Sequence, residues 1–207
     1  MIKVLIVEDQ RMMREMMETY VRQTEGYSLV GSLPDAKASE RFCASNAVDL
    51  VLMDVCTEND ESGFAATETL KKRFPNIKVV IVTSMLDASY LERAKEVGAD
   101  SIWFKDTSRE ALMNVAERTV KGEKVYPDRT PAVVLGNATS YDFTEAEVRV
   151  LRLLVEGMTY KEMGDILCVT PDCIKKHISS MLSKTGFTSK TKLAAAVVSK
   201  RLIVNGF

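Results

Sequence analysis

The chain has 207 residues, 46% apolar and 28% charged, with five prolines and ten glycines; this suits one large or two small globular domains and excludes collagen-like, coiled-coil and disordered classes. Cys43, Cys56, Cys168 and Cys173 form no CxxC pair or disulfide framework, which fits a reducing cytoplasm, and a single histidine argues against a His-rich metal centre or a His-dependent triad. The net charge of −1 divides into −5 over residues 1–142 and +4 over residues 143–207, which reads either as scattered surface charge or as two modules, the rear one suited to a polyanion.

From the N-terminus, short apolar runs alternate with amphipathic stretches. Strand-length runs cover Ile2–Val7, Tyr27–Gly31, Val48–Met53, Ile77–Thr83 and Asp100–Phe104. Between them Arg11–Thr24, Asp35–Asn46, Phe64–Phe74, Ala88–Val97 and Ser108–Lys121 carry apolar residues at helical spacing. Runs such as VDLVLM and IKVVIVT are apolar on both faces, as parallel strands between helices require. Thr107 and Glu110 form a capping box for the fifth helix. The pattern predicts a (βα)5 doubly wound parallel sheet, an α/β domain over residues 1–122. The first strand runs straight into Glu8 and Asp9, which argues against a secretory signal, and no apolar run approaches the roughly 20 residues of a membrane span. No Gly-x-x-x-x-Gly-Lys occurs, so a P-loop is not suggested.

Residues 123–142 lose this periodicity. Tyr126-Pro127, Thr130-Pro131 and Gly136-Asn137 punctuate them, and they read as a linker with room for a short helix. From Phe143 the signals are wholly helical. Thr144 with Glu147, and Thr159 with Glu162, make capping boxes, and Phe143 with Val148 makes a hydrophobic staple. Thr170 before Pro171 is an N-cap with proline at the first helical position, and Ser189 after Gly186 caps a further helix. Residues 143–207 are therefore predicted to be an all-α domain.

Function in an open parallel sheet collects at the carboxyl ends of the strands. There the sequence places Glu8, Asp9, Asp54, Thr83 and Lys105. Three carboxylates ending two strands repel one another unless a cation neutralises them, and an all-oxygen donor set suits Mg²⁺. Lys105 adds a point charge and Thr83 a hydroxyl, a combination able to hold a phosphoryl group. Each residue alone is commonplace at a strand end; the five together are not.

On these residues, 1–122 resembles the receiver domain of two-component response regulators. The resemblance implies that Asp54 is the phosphoacceptor, attacking a phosphohistidine on a separate histidine kinase. It implies that Glu8, Asp9 and Asp54 hold Mg²⁺ together with the backbone carbonyl of Cys56. Lys105 then contacts the phosphoryl group, and Thr83 is the switch hydroxyl that moves towards it. The only histidine, His177, lies elsewhere, so the phosphate must come from another molecule. Three positions depart from the family pattern. Glu58 stands at the usual proline and Gly63 comes one residue late, so the loop Val55–Gly63 is read as remodelled by an insertion. Ile102 stands at the aromatic switch position, with Trp103 beside it on the other face. Asp106 replaces the proline that commonly follows the lysine.

The second module resembles the LuxR-type helix-turn-helix from Phe143 to about Ala196. The string is Phe143, Thr144, Glu147, Leu151, Gly157, Lys161-Glu162-Met163-Gly164, Thr170-Pro171 and Ile174-Lys175-Lys176-His177-Ile178. In the helix after Thr170, Ile174, Ile178, Met181 and Leu182 share an apolar face, while Lys175, Lys176, Ser179 and Ser183 fall largely opposite, a face suited either to solvent or to a major groove. The resemblance makes Lys175 and Lys176 the first candidates for DNA contact, with Ser179 weaker and His177 in packing or on a phosphate. A Cys168, Cys173 and His177 metal site lacks a fourth ligand. Leu193–Val198 reads as core or as a dimer seam. The combination resembles that of NarL/FixJ-type regulators. It implies a cytoplasmic, DNA-binding response regulator, a homodimer when active, with no membrane contact and no enzyme activity beyond its own Mg²⁺-dependent phosphotransfer and dephosphorylation. The alternative is a DNA binder whose receiver is a phosphorylation-independent dimerisation or docking platform.

Overall fold

The computed structural model describes residues 1–57, 61–86, 89–105 and 108–203, with only the backbone of Glu61. The chain divides into two compact units, the first formed by residues 1–84 and 88–129 and the second by residues 85–87 and 130–207. In the first, β1 (Ile2–Val7), α1 (Arg11–Arg22), β2 (Tyr27–Leu33), α2 (Ala38–Ser45) and β3 (Leu50–Asp54) come in order. After β3 come the two-residue strands β4 (Cys56–Thr57) and β5 (Glu61–Ser62), then α3 (Gly63–Arg73), β6 (Lys78–Thr83), α4 (Ser89–Glu96), β7 (Ser101–Phe104) and α5 (Arg109–Val120).

The five predicted strands make one sheet in the order β2-β1-β3-β6-β7, parallel at every pairing. Val4, Ile6, Leu50, Leu52, Val80, Val82 and Trp103 form a core with Met17 and Val21 of α1 and Leu112 and Ala116 of α5. The alternate residues Leu5, Val51, Met53, Val79, Ile81 and Ile102 are buried as well. Burial of both faces explains why these strands read as apolar runs without alternation. The sheet order reverses between β1 and β3, and the crevice outside their carboxyl ends is where such sheets bind ligands.

The predicted elements hold with ends moved by one to three residues: β2 runs on to Leu33, β3 shifts to end at Asp54 and α3 to start at Gly63, while most of the others are shorter. The fifth helix is capped by Ser108, whose Oγ accepts from Ala111 N–H at 3.4 Å; Thr107 of the expected capping box lies outside the described residues. After β3, β4 and β5 pair antiparallel, Cys56 with Ser62 and Thr57 with Glu61, while Glu58 lies outside the described residues.

The second unit differs from expectation at its start. The stretch read as linker contains β8 (Val134–Leu135) and β9 (Ala138–Thr139), an antiparallel hairpin followed by a 3-10 turn over Ser140–Asp142. Val133 and Leu135 enter the unit's core, and Asn137 N–H donates to Thr185 C=O at 2.9 Å. Gly136-Asn137 is thus the hairpin turn, and apolar burial makes the residues before 143 part of this unit. Four helices follow: α6 (Glu145–Val155), α7 (Tyr160–Leu167), α8 (Pro171–Thr185) and α9 (Lys190–Ser199). Their N-caps are the predicted Thr144, Thr159, Thr170 and Ser189, each accepting the backbone N–H three residues on. Leu151, Met163, Ile174, Met181, Leu193 and Val197 lie in the core. α9 divides the two readings of its apolar stretch, with Leu193 and Val197 buried and Val198 48% exposed. Among the described residues no helix is long and apolar enough to cross a membrane.

Candidate functional site

The parallel ladder brings the first set of predicted residues together. Glu8, just past the end of β1, is fully buried, and β3 ends at Asp54 and β6 at Thr83, both buried. Lys105 follows β7, its N–H donating to Thr83 C=O at 2.8 Å. Its ammonium Nζ lies 2.6 Å from Glu8 Oε2 and 2.9 Å from Asp54 Oδ2, with only 4% of the side chain exposed. Oxygens of Glu8, Asp9 and Asp54 lie within 4.8 Å of one another, the one grouping of potential metal-ligating side chains among the described residues.

One ammonium cannot balance three carboxylates, so the pocket carries a deficit of positive charge when all are ionised. Burial, with the neighbouring Asp54 charge, pushes Glu8 up to about 7 despite Lys105. Burial likewise raises Asp54 above the usual carboxylate range, against the opposing pull of Lys105 and of the Val55 N–H that donates to its Oδ1 at 2.8 Å. Asp9 Oδ1 is buried without a hydrogen-bond partner. A hard cation bound here would supply the missing charge and the missing partner together, and the donor set is all oxygen.

Two supporting contacts were not evident from residue spacing. Arg14 donates from Nη1 to the carbonyls of Glu8, at 2.6 Å, and Asp9, at 3.1 Å, pinning the turn that carries both acids. Gly63 starts α3 against the backbone of Asp54: a Cβ there would sit 1.9 Å from the Asp54 carbonyl oxygen. Its N–H donates to Val55 C=O at 2.8 Å. The displaced glycine is therefore required by close approach. Cys56 follows on β4, half-buried. Ile102 and Trp103 are both buried, and Trp103 faces α1 and α5.

The second set lies on α8. Lys175, Lys176 and Ser179 are exposed, together with Asp172 and Ser183, while Ile174, Ile178, Met181 and Thr185 are buried on the opposite side. His177 departs from this face. It is half-buried and lines a cavity of about 250 Å³ with Glu145, Ala146 and Arg149 of α6 and Leu167 and Val169. At 100° per residue it is turned well away from Lys175 and Ser179, towards α6.

Glu147 does more than cap. Beyond its bonds to Thr144 it accepts from Ser180 Oγ at 2.7 Å and from Lys184 Nζ at 2.7 and 3.0 Å, and Lys184 also reaches Asp142 C=O at 2.9 Å. These bonds tie the start of α6 to one flank of α8. Burial favours the neutral acid, but hydrogen bonds from Lys184, the Thr144 N–H and Ser180, with the Lys184 charge, outweigh it and hold Glu147 at about 2. A folded pKa below the ordinary 4.5 means stabilisation that is complete above that value and lost as pH falls through it towards 2. The expected loss over this window is on the order of 2–3 kcal/mol, absent in Glu147→Gln. Urea unfolding followed by hydrogen exchange in α6 and α8, at several pH values, measures it. An identical pH slope in variant and wild type would show that the network does not form.

Comparison with known proteins bears on both sites. Residues 4–117 match the response regulator receiver domain, and residues 142–197 match the luxR family of bacterial regulatory proteins. The chain is 30% identical over 207 residues to the response regulator protein VraR of Staphylococcus epidermidis, covering 98% of this chain and 99% of that protein. VraR of Staphylococcus aureus gives the same identity and coverage. Among solved structures, a complex of the two-component response regulator RcsB with DNA superposes with a TM-score of 0.64 at 19% identity, over 96% of this chain and 98% of that one. RcsB of Salmonella typhimurium gives 0.58 at 20% identity, over 96% of this chain and all (100%) of that one.

Proposed function

The chain belongs to the response regulators that join a receiver domain to a LuxR-type DNA-binding domain, and on that premise we propose that it accepts a phosphoryl group on Asp54 from a separate histidine kinase and thereby controls the binding of α8 to double-stranded DNA. The observation that carries this reading is the buried Lys105 ammonium between Glu8 and Asp54, at 2.6 and 2.9 Å, with Asp9 completing the acidic group.

The chemistry follows from these atoms. An Asp54 carboxylate oxygen forms the new P–O bond while the P–N bond of a phosphohistidine breaks, and the departing imidazole nitrogen recovers a proton from solvent. Lys105 pairs with the negative charge that spreads over the phosphoryl oxygens, and Thr83 donates its hydroxyl to one of them. Mg²⁺ held by Glu8, Asp9, Asp54 and the Cys56 carbonyl would neutralise the remaining charge. Because Glu8 stands near 7, protons compete with the cation at its carboxylate as pH falls.

For DNA, the support is an exposed lysine-bearing face on the helix that follows a capped turn, and RcsB, similar in fold, has been seen bound to DNA. RcsB also occurs there as dimers, and a homodimer of this chain when active is in keeping with the exposed Val198 of α9. Residence in the cytoplasm, where kinase, Mg²⁺ and DNA meet, completes the reading. The test is DNA affinity of the full chain at one salt concentration, with and without a small phosphodonor and Mg²⁺. Phosphorylation is expected to tighten binding by about 5- to 150-fold, the usual range of coupling between two sites. Equal affinity in a demonstrably phosphorylated sample would leave the receiver as a docking platform.

A further inference from the structure

Beyond α5 the chain turns back on the sheet. Glu123 N–H donates to Arg118 C=O and Gly122 N–H to Thr119 C=O, both at 3.0 Å, closing the helix in a Schellman arrangement. Gly122 has a φ of +94°, a conformation glycine adopts without a Cβ penalty. The reversal lays the following residues beside β7, the outer strand of the sheet. Ile102 N–H donates to Val125 C=O at 3.1 Å, and Val125 N–H donates to Ser101 Oγ at 2.9 Å. Ser101 Oγ in turn lies 2.6 Å from Thr119 Oγ1, which donates to Val115 C=O at 2.6 Å, so the hydroxyls form a directed chain into α5. One residue further, Tyr126 OH donates to Ala99 C=O at 2.6 Å, with Lys95 Nζ over its ring at 5.4 Å. Burial, then the Asp100 charge, push the Tyr126 phenol up to about 12, so it keeps the proton it donates.

The strand that carries this attachment also carries the phosphoryl pocket. Ile102, whose N–H holds Val125, lies on β7 just before Lys105, and its register partner on β6 is Ile81, two residues from Thr83. Any displacement of Lys105 towards a phosphoryl group pulls on the end of β7, the strand that carries the attachment, and any displacement of Thr83 pulls on β6, which is paired to it. Val125 and Tyr126 are only half-buried, and the attachment rests on three hydrogen bonds from two residues, so its opening free energy belongs at the low end for a folded domain.

We propose that residues 122–126 are a strap whose hold on the β7 edge reports the state of the Asp54 pocket, released when the pocket is phosphorylated. This rests on the phosphoacceptor reading above. Attached, the strap leaves 127–129 as the covalent connection to the main run of the second unit, which starts at Thr130. Released, the connection reaches back to Gly122, each freed residue adding up to about 3.5 Å. Receiver state then sets the reach of the DNA-binding unit without any aromatic at position 102.

The full chain tests this in two arms. With Mg²⁺ and beryllofluoride as phosphoryl mimic, occupancy is read by ¹⁹F NMR and amide hydrogen exchange is followed at Ile102 and Val125. Exchange at both is expected to accelerate about threefold or more when the mimic is bound. Independently of any mimic, Tyr126→Phe deletes the hydroxyl bond while keeping the ring. Tryptic cleavage after the exposed Lys124 is expected to rise about 3- to 10-fold, the weight of one net hydrogen bond. Bound mimic with unchanged exchange overturns the coupling while sparing the pocket. Wild-type cleavage and exchange in Tyr126→Phe overturn the strap itself. No bound ¹⁹F signal overturns the pocket reading and the coupling with it, and the Tyr126→Phe arm still decides whether the strap holds.

Discussion

Asp54→Asn is expected to reduce phosphate incorporation from a small phosphodonor to background, a loss of at least about 10³-fold, as removal of a nucleophile costs other covalent catalysts. An amide oxygen carries no formal charge to attack phosphorus, while the side chain keeps its shape and its oxygen still accepts the Val55 N–H bond now seen at 2.8 Å. The substitution also removes one of three crowded carboxylates that a single Lys105 cannot balance. The variant is therefore expected to unfold no earlier than wild type. Acid- and base-labile labelling of both proteins, with thermal unfolding as control, measures the effect. Undiminished labelling of a folded Asp54→Asn would remove Asp54 from its role.

The second large effect belongs to α8. Lys175→Ala combined with Lys176→Ala is expected to weaken DNA binding by about 10- to 100-fold at moderate salt without loss of the fold. Both side chains are exposed, and the helix is held from its other side by Ile174, Ile178 and Met181. Alanine is also the better helix former. A lysine on a phosphate should lower the salt slope by about one unit and weaken all sequences alike. One that reads a base edge should relax discrimination at a single position by roughly 1–3 kcal/mol. Anisotropy titrations across a salt series and a panel of sites separate the two. His177→Ala is the useful contrast: its ring lines the cavity against α6, so stability should suffer before specificity does. Normal affinity and specificity in the double variant would exclude this face of α8 as the reader.

The two sets of residues were legible for different reasons. Glu8, Asp9, Asp54, Thr83 and Lys105 are scattered along a hundred residues of chain, yet a parallel sheet places the ends of its strands in one row. Recognising the strands was enough to bring the residues together. On α8 the helical period separated the exposed Lys175, Lys176 and Ser179 from the buried Ile174 and Ile178. That same period leaves a flank residue such as His177 undecided, because burial there depends on whether another helix lies alongside. The late glycine at position 63 read as a departure, whereas its place against the Asp54 carbonyl makes it a requirement.

By itself the sequence determined the alternation of strands and helices, the capped helix starts at Thr144, Thr159, Thr170 and Ser189, and the acidic strand ends. All of these depend on side-chain periodicity and on bonds spanning three or four residues, so local physics suffices. Tertiary structure decided what the stretch between the domains does. Residues 123–142 lack a period, yet Val125 and Tyr126 bind the β7 edge and Val133 and Leu135 enter the second core. It also decided that Arg14 pins the acidic turn and that Glu147 joins α6 to Lys184 on α8. Some of these partners are far apart in the chain, and even the nearer ones meet only where packed elements or a turn present a matching donor, acceptor or apolar surface. No local pattern encodes that coincidence; the folded arrangement of the elements supplies it.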